Sequence, residues 1–282
     1  MTLETLLQNP NALPTAPKVV EELISSFEDA DVSVEEIARK LSLDPVLSAK
    51  LLRLANSAYY HVSRRIGNVE DAVRMLGFVT VRTLVISSGL VGGFKAVPGL
   101  DLKRFWRYSL RSAVAAKWIA KKVGVNTDLA FTIGMMHALG QLVMHAGLPA
   151  ETAELDQATA PYAAGRMEAE RAAFGYTFAE VGAELAVRWK FPDIFPDTMR
   201  AYPDPLGHTP ISRMAGVIHL ATWRAGAEEM ILADGDRAAH LATMLAATLP
   251  AAVAANLGLA AGELLEMPAL DELSAGLEEL IH

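Results

Sequence analysis

The chain has no cysteine in its 282 residues, which excludes disulfides, iron–sulfur clusters, thiolate zinc sites and cysteine nucleophiles together. Alternation of apolar and polar residues typical of strands is scarcely visible, and there is no internal repeat, low-complexity tract or glycine-rich phosphate loop. No apolar run is read as approaching the roughly 20 uncharged residues of a membrane span, so no membrane partner is expected. The N-terminus, MTLETLLQNP, carries acidic rather than basic residues before its leucines and then meets a proline, unlike a signal peptide. The cytoplasm is therefore the default location.

What is present is apolar and helical. Hydrophobic residues make up 52% and charged ones 21%, and the length suits two domains or one large one. The net charge of −8 is unevenly spread: residues 1 to 44 carry −6, 45 to 97 carry +5, 98 to 225 carry +2, and 226 to 282 carry −9. A solvated helical face is the ordinary explanation of such a basic middle, ahead of a binding patch.

Helix start and stop signals recur along the chain and predict an all-α fold. Ser33 and Glu36 have capping-box spacing, and Asp44 precedes Pro45 as cap and first helical residue. Asn68 opens a helix with Glu70 and Asp71 in its first turn and Gly77 at its end, and the next helix is expected near Thr80. A long amphipathic helix runs from an Asp101 cap to Gly124. Thr177 and Glu180 form another capping box, and Thr209 with Pro210 is read as the start of a late helix. Shorter helices are expected in the acidic tail. The segment VGGFKAVPGLD, rich in glycine and proline, marks a hinge, giving an N-terminal helical bundle over 1–98 and a second helical domain over 99–282.

In order and spacing, six pieces resemble one known family: LPTAPKVVEEL, LSLDPVLSAKLLRLANSAYY, NVEDAVRMLGFVTVRTLVI, FWRYSLRSAVAAKWIA, GMMHALGQLVM and ERAAFGYTFAEVGAELAVRWKFP. The family is the HDOD domain, a bacterial signalling relative of the HD phosphohydrolases. The resemblance implies an all-helical fold whose second half is a degenerate HD-like domain. HD enzymes hold metal ions with histidines and aspartates from several helices, and the corresponding positions here can be inspected. The first histidine falls at Tyr108, and the His-Asp pair at His137 and Ala138. Later histidines fall near Phe178 and Tyr202, and the final aspartate at Thr222, beside His219. One plausible ligand remains, so no metal or other cofactor is expected, and these positions are read as vestigial.

His137 is accordingly read as a structural remnant rather than a metal ligand. His145 does not rescue the site: eight residues along one continuous helix turn through about 800°, or about 80° off the same face. The aromatics at 108, 178 and 202 suit a filled or stacking cavity, with core filling the simpler of the two.

The other segment with interaction character is NSAYYHVSRRIGN, where Tyr59, Tyr60, Arg64 and Arg65 are candidate partner-binding residues. The plainer reading is a helix-ending turn, with Asn56 and Ser57 bonding backbone groups and the arginines meeting a helix C-terminus. Three functional classes follow. The leading one is a non-enzymatic signalling module that binds a signalling protein or a small anionic ligand. A phosphohydrolase with atypical ligands is the alternative, marked by bound metal and turnover. A nucleic-acid-binding regulator comes third, marked by salt-sensitive binding to duplex DNA.

Overall fold

The computed structural model describes residues 1–9, 12–13, 18–25, 34–94, 96–163, 165–231 and 237–281, among which there are helices and no strands. The first part of the chain forms α1 (Leu3–Gln8), α2 (Lys18–Ser25), α3 (Val34–Ser42), α4 (Pro45–Ala55), α5 (Val69–Leu76) and α6 (Phe78–Gly93). Then come α7 (Leu102–Val123), α8 (Thr127–Met136), α9 (Leu139–Gly147), α10 (Pro149–Ala158), α11 (Arg166–Phe174), α12 (Phe178–Arg188), α13 (Ile194–Ala201) and α14 (Arg213–Ile231). The tail forms α15 (Arg237–Thr248), α16 (Ala251–Leu257), α17 (Ala261–Leu265), α18 (Leu270–Ser274) and a 3₁₀ turn, Glu278–Ile281.

Most caps lie where the sequence places them. The Asp44 carboxylate accepts from the Val46 and Leu47 amides, Asn68 from Asp71, and Asp101 from Arg104, each satisfying a helix-start N–H that has no intrahelical partner. Thr177 and Glu180 make the reciprocal capping box of α12. The Ser33 cap lies outside the described residues. Gly77 both ends α5 and opens α6, which begins at Phe78, near the expected Thr80. One start differs from expectation. The late helix starts at Arg213 rather than at Thr209–Pro210, because the Ser212 hydroxyl accepts the Ala215 amide and serves as the cap.

Helix α7 is the central element, packed between α8 and α14. The α7–α8 crossing is close because a Cβ on Gly134 would stand 2.7 Å from the Ala113 Cα. One stretch, Thr127–Gly147, is long and apolar enough to cross a membrane, contrary to the sequence reading; most of it is buried inside the fold. It is not one helix, since α8 ends at Met136 and α9 starts at Leu139. His137 and Ala138 form the break between them, so the single-helix angle between His137 and His145 does not apply.

The two halves exchange their ends. Helix α1 packs on α9 and α12, with the Arg188 guanidinium donating to the Leu7 carbonyl at 2.9 Å. The C-terminal 3₁₀ turn packs on α4 and α6, with Leu280 buried and Arg53 paired to Glu279 at 3.2 Å. Buried side chains from both halves form one continuous apolar core, in which α6 meets α8.

Candidate functional site

A cavity of about 550 Å³ opens between α7, α11, α12 and α14, and Tyr108, Phe178, Tyr202 and Thr222 all line it. Four of the six positions that the sequence reading takes as vestigial are thus brought to one place. The fifth, His137, lies beneath them, its ring 5.2 Å from that of Tyr108 and 5.9 Å from that of Tyr202, both edge-on. Ala138, the sixth, is buried beside it.

Helix α12 reaches this wall because α9 lets it approach at a glycine pair. A Cβ on Gly140 would collide with the Phe178 carbonyl oxygen and stand 2.8 Å from the Gly182 amide nitrogen. Only hydrogen at position 140 of α9 permits this approach of the α12 backbone.

His137 is 1% exposed, and its Nδ1–H donates to the Gly134 carbonyl at 2.7 Å. A carbonyl only accepts, so Nδ1 carries the proton and Nε2 is left as a bare acceptor that nothing in the described residues meets. Burial pushes its pKa down to about 4, keeping the ring neutral near pH 7. A backbone carbonyl orienting a neutral imidazole is the arrangement found behind metal-binding histidines. The remaining donors do not fit a hydrolytic dication pair, which needs bridging carboxylates. Ala138 supplies a methyl group and Thr222 a hydroxyl donated to the His219 carbonyl at 3.0 Å. Burial holds the Tyr108 and Tyr202 phenols well above their ordinary range, so neither offers a phenolate. Among the described residues no group of three or more His, Asp or Glu could hold a metal ion. His219 donates from Nδ1 to the Tyr202 carbonyl at 2.8 Å and, lowered in pKa by burial, is neutral.

His145 takes no part in this site. Its ring meets the Gln141 carbonyl and, at 3.0 Å, the Asp156 carboxylate. Asp156 also accepts from the buried Arg166 guanidinium, whose Nε donates to Glu170 at 2.8 Å. Glu170 in turn accepts the Phe178 amide at 2.7 Å. This chain of charges ties α9, α10 and α11 to the start of α12 beside the cavity.

The sequence reading missed Gln141, Tyr162, Arg166, Trp223, Met230 and Met244, which complete the walls. They come from five separate segments without a shared spacing, and only folding assembles them.

Tyr59 and Tyr60 are half-buried and packed edge to face at 4.9 Å, with the Lys117 ammonium over the Tyr59 ring. Asn56 holds their loop closed, donating to the Leu52 and Ile66 carbonyls and accepting the Ile66 amide. The Ser57 hydroxyl, expected to share that work, has no hydrogen-bond partner among the described residues. Arg64 and Arg74 both face Asp71, while Arg65 is exposed. Arg53, Arg64 and Arg74 of the basic 45–97 segment thus meet acids of their own chain.

The HDOD domain profile matches residues 13–205. The chain belongs to the HDOD family. This HDOD chain is 34% identical, with a TM-score of 0.76, to a crystal structure from Shewanella amazonensis SB2B named as a candidate phosphohydrolase, covering 98% of this chain and 96% of that one. It is 25% identical, with a TM-score of 0.69, to an HDOD domain protein of unknown function from Geobacter sulfurreducens, covering 96% of each. An uncharacterized protein of Treponema pallidum (strain Nichols) is 27% identical over 202 residues, which are 70% of this chain and 39% of that protein. The HDOD chain thus matches well under half of that longer relative.

Proposed function

We propose that this HDOD chain is a non-enzymatic regulatory module of bacterial signal transduction, acting by binding rather than by hydrolysis, with a small molecule seated over His137. The observation supporting this reading is the shared cavity of Tyr108, Phe178, Tyr202 and Thr222. Positions matched to metal-holding residues of HD enzymes offer here aromatic rings and a hydroxyl, a surface suited to stacking and poor for binding hard dications. The cavity's volume lies in the range of ordinary ligand pockets, and its walls mix apolar side chains with a few polar ones.

The experiment is an assay of the purified protein with Mn²⁺, Mg²⁺ or Fe²⁺ against cyclic dinucleotides and phosphomonoesters, together with elemental analysis. No turnover and less than stoichiometric metal are expected. About two ions per chain, with turnover abolished in His137→Ala, would overturn the reading and favour an HD phosphohydrolase with atypical ligands.

A further inference from the structure

A second cleft, of about 380 Å³, lies apart from the cavity over His137 and shares no lining residue with it. Its walls come from α4, which supplies Lys50, from the end of α6 with Phe94, from α7, which supplies Lys103 and Trp106, and from Ile281 in the C-terminal 3₁₀ turn.

The charge lining this cleft is of one sign. Lys50 and Lys103 are its ionisable residues, and no Asp or Glu lines it among the described residues. Lys50 is half-buried and makes no ion pair among the described residues; Glu279, the acid that acts on it, is held by Arg53 at 3.2 Å. Burial, and then the neighbouring Arg53, lower its pKa, as expected of an ammonium short of an anion. Lys103 is exposed and likewise makes no ion pair among the described residues. It also borders a smaller cavity of about 240 Å³, but the acids there are engaged: Asp271 accepts from Arg111 at 2.6 Å and Glu278 from the Gly276 amide at 2.8 Å. A cleft lined by charge of one sign concentrates the opposite sign, and lysine carries its ammonium on a flexible stem, so two heads can turn to one anion.

The rest of the cleft is apolar. The buried Phe94 and Trp106 rings lie 6.3 Å apart, tilted at 54°, and aliphatic side chains such as Ile281 continue the wall. Such a surface takes an apolar body, and the volume is in the range of small-molecule sites.

We infer that this cleft binds a small organic anion, a carboxylate on an apolar ring, with its charge met by Lys50 and Lys103 and its ring on the apolar wall. An anion so held ties α4 to α7. The inference is independent of the reading given to the cavity over His137.

Isothermal titration of the full chain at low salt with naphthalene-2-carboxylate and its uncharged analogue naphthalene-2-carboxamide tests this. The carboxylate is expected to bind about tenfold or more tighter, the equivalent of one charge-assisted hydrogen bond. Lys50→Gln and Lys103→Gln, made separately, should each weaken the carboxylate about fivefold or more and leave the carboxamide unchanged. The wild-type comparison needs no variant, so misfolding of either one leaves the test intact. Equal affinity for the two probes, or no saturable heat with the carboxylate, overturns the inference. A carboxylate preference that survives in both variants also overturns it, since the anion then binds elsewhere. The hydrolysis and metal assays judge the regulatory reading separately.

Discussion

The Arg111 guanidinium on α7 donates to the Glu229 carboxylate on α14 at 2.8 Å, and both side chains are almost fully buried. Arg104 and Arg107 reach the same carboxylate from the surface, at 3.2 Å each, and Arg111 also extends to Asp271 of α18 at 2.6 Å. One buried anion thus joins the central helix to α14, and through Arg111 to the tail.

Removing that anion takes away the fully buried partner of Arg111 and leaves its guanidinium only the exposed Asp271 and, at 4.0 Å, Glu228. Glu229→Ala is expected to cost about 3–5 kcal/mol in a denaturant titration. Asp271→Ala, which removes an exposed partner, should cost under about 1 kcal/mol. Similar losses in the two variants would show that burial of Glu229 does not govern the interaction.

His137 predicts a pH signature. Its folded pKa, pushed down to about 4 by burial, lies below the ordinary 6.5, so the unfolded chain binds this proton more readily. Its contribution is neutral above pH 6.5, and stability falls as pH drops from 6.5 towards 4, with a limiting slope of about 1.4 kcal/mol per pH unit. His137→Asn, whose amide can still donate to the Gly134 carbonyl, should flatten the stability curve in that window relative to wild type. Parallel curves would mean that His137 titrates normally in the fold.

Gly140→Ala adds one methyl group where the Phe178 carbonyl and the Gly182 backbone stand. Neither neighbour is a flexible side-chain end, so α9 and α12 must separate. A loss of about 1–3 kcal/mol or more is expected in a denaturant titration. Gly262→Ala, where a Cβ meets nothing within 4 Å, is the control and should change little.

The loop of Tyr59 and Tyr60 depends on Asn56 rather than on its arginines. Asn56→Ala removes three hydrogen bonds to backbone and should cost about 1–3 kcal/mol. Arg64→Glu combined with Arg65→Glu should lower the melting temperature by no more than about a few degrees, since both are exposed. A larger loss in the double variant would show that these arginines hold the loop.

The all-helical class, the family and most helix starts were legible because they depend on local signals. Asp44, Asn68, Asp101 and Thr177 cap helices through bonds that span two or three residues, and a one-dimensional reading detects such bonds directly. The failures were also local: Ser212 outcompeted Thr209, and an apolar run that looks continuous breaks at His137–Ala138. Periodicity alone does not report a break inside a run that is buried on every side.

The sequence by itself determined that Tyr108, Ala138, Phe178, Tyr202 and Thr222 bring no metal-binding imidazole or carboxylate, because ligand chemistry belongs to the side chain wherever it sits. Only the tertiary structure decided that four of these line one cavity with Gln141, Tyr162, Arg166 and Trp223, and that His137 lies sealed below with a bare nitrogen. Those relations rest on helix crossings such as Gly140 against Phe178 and on bonds such as Arg166 to Asp156, between residues whose separation in sequence carries no period. Close packing of distant segments fixes which polar atoms find partners and which are left open, and no local pattern encodes that outcome.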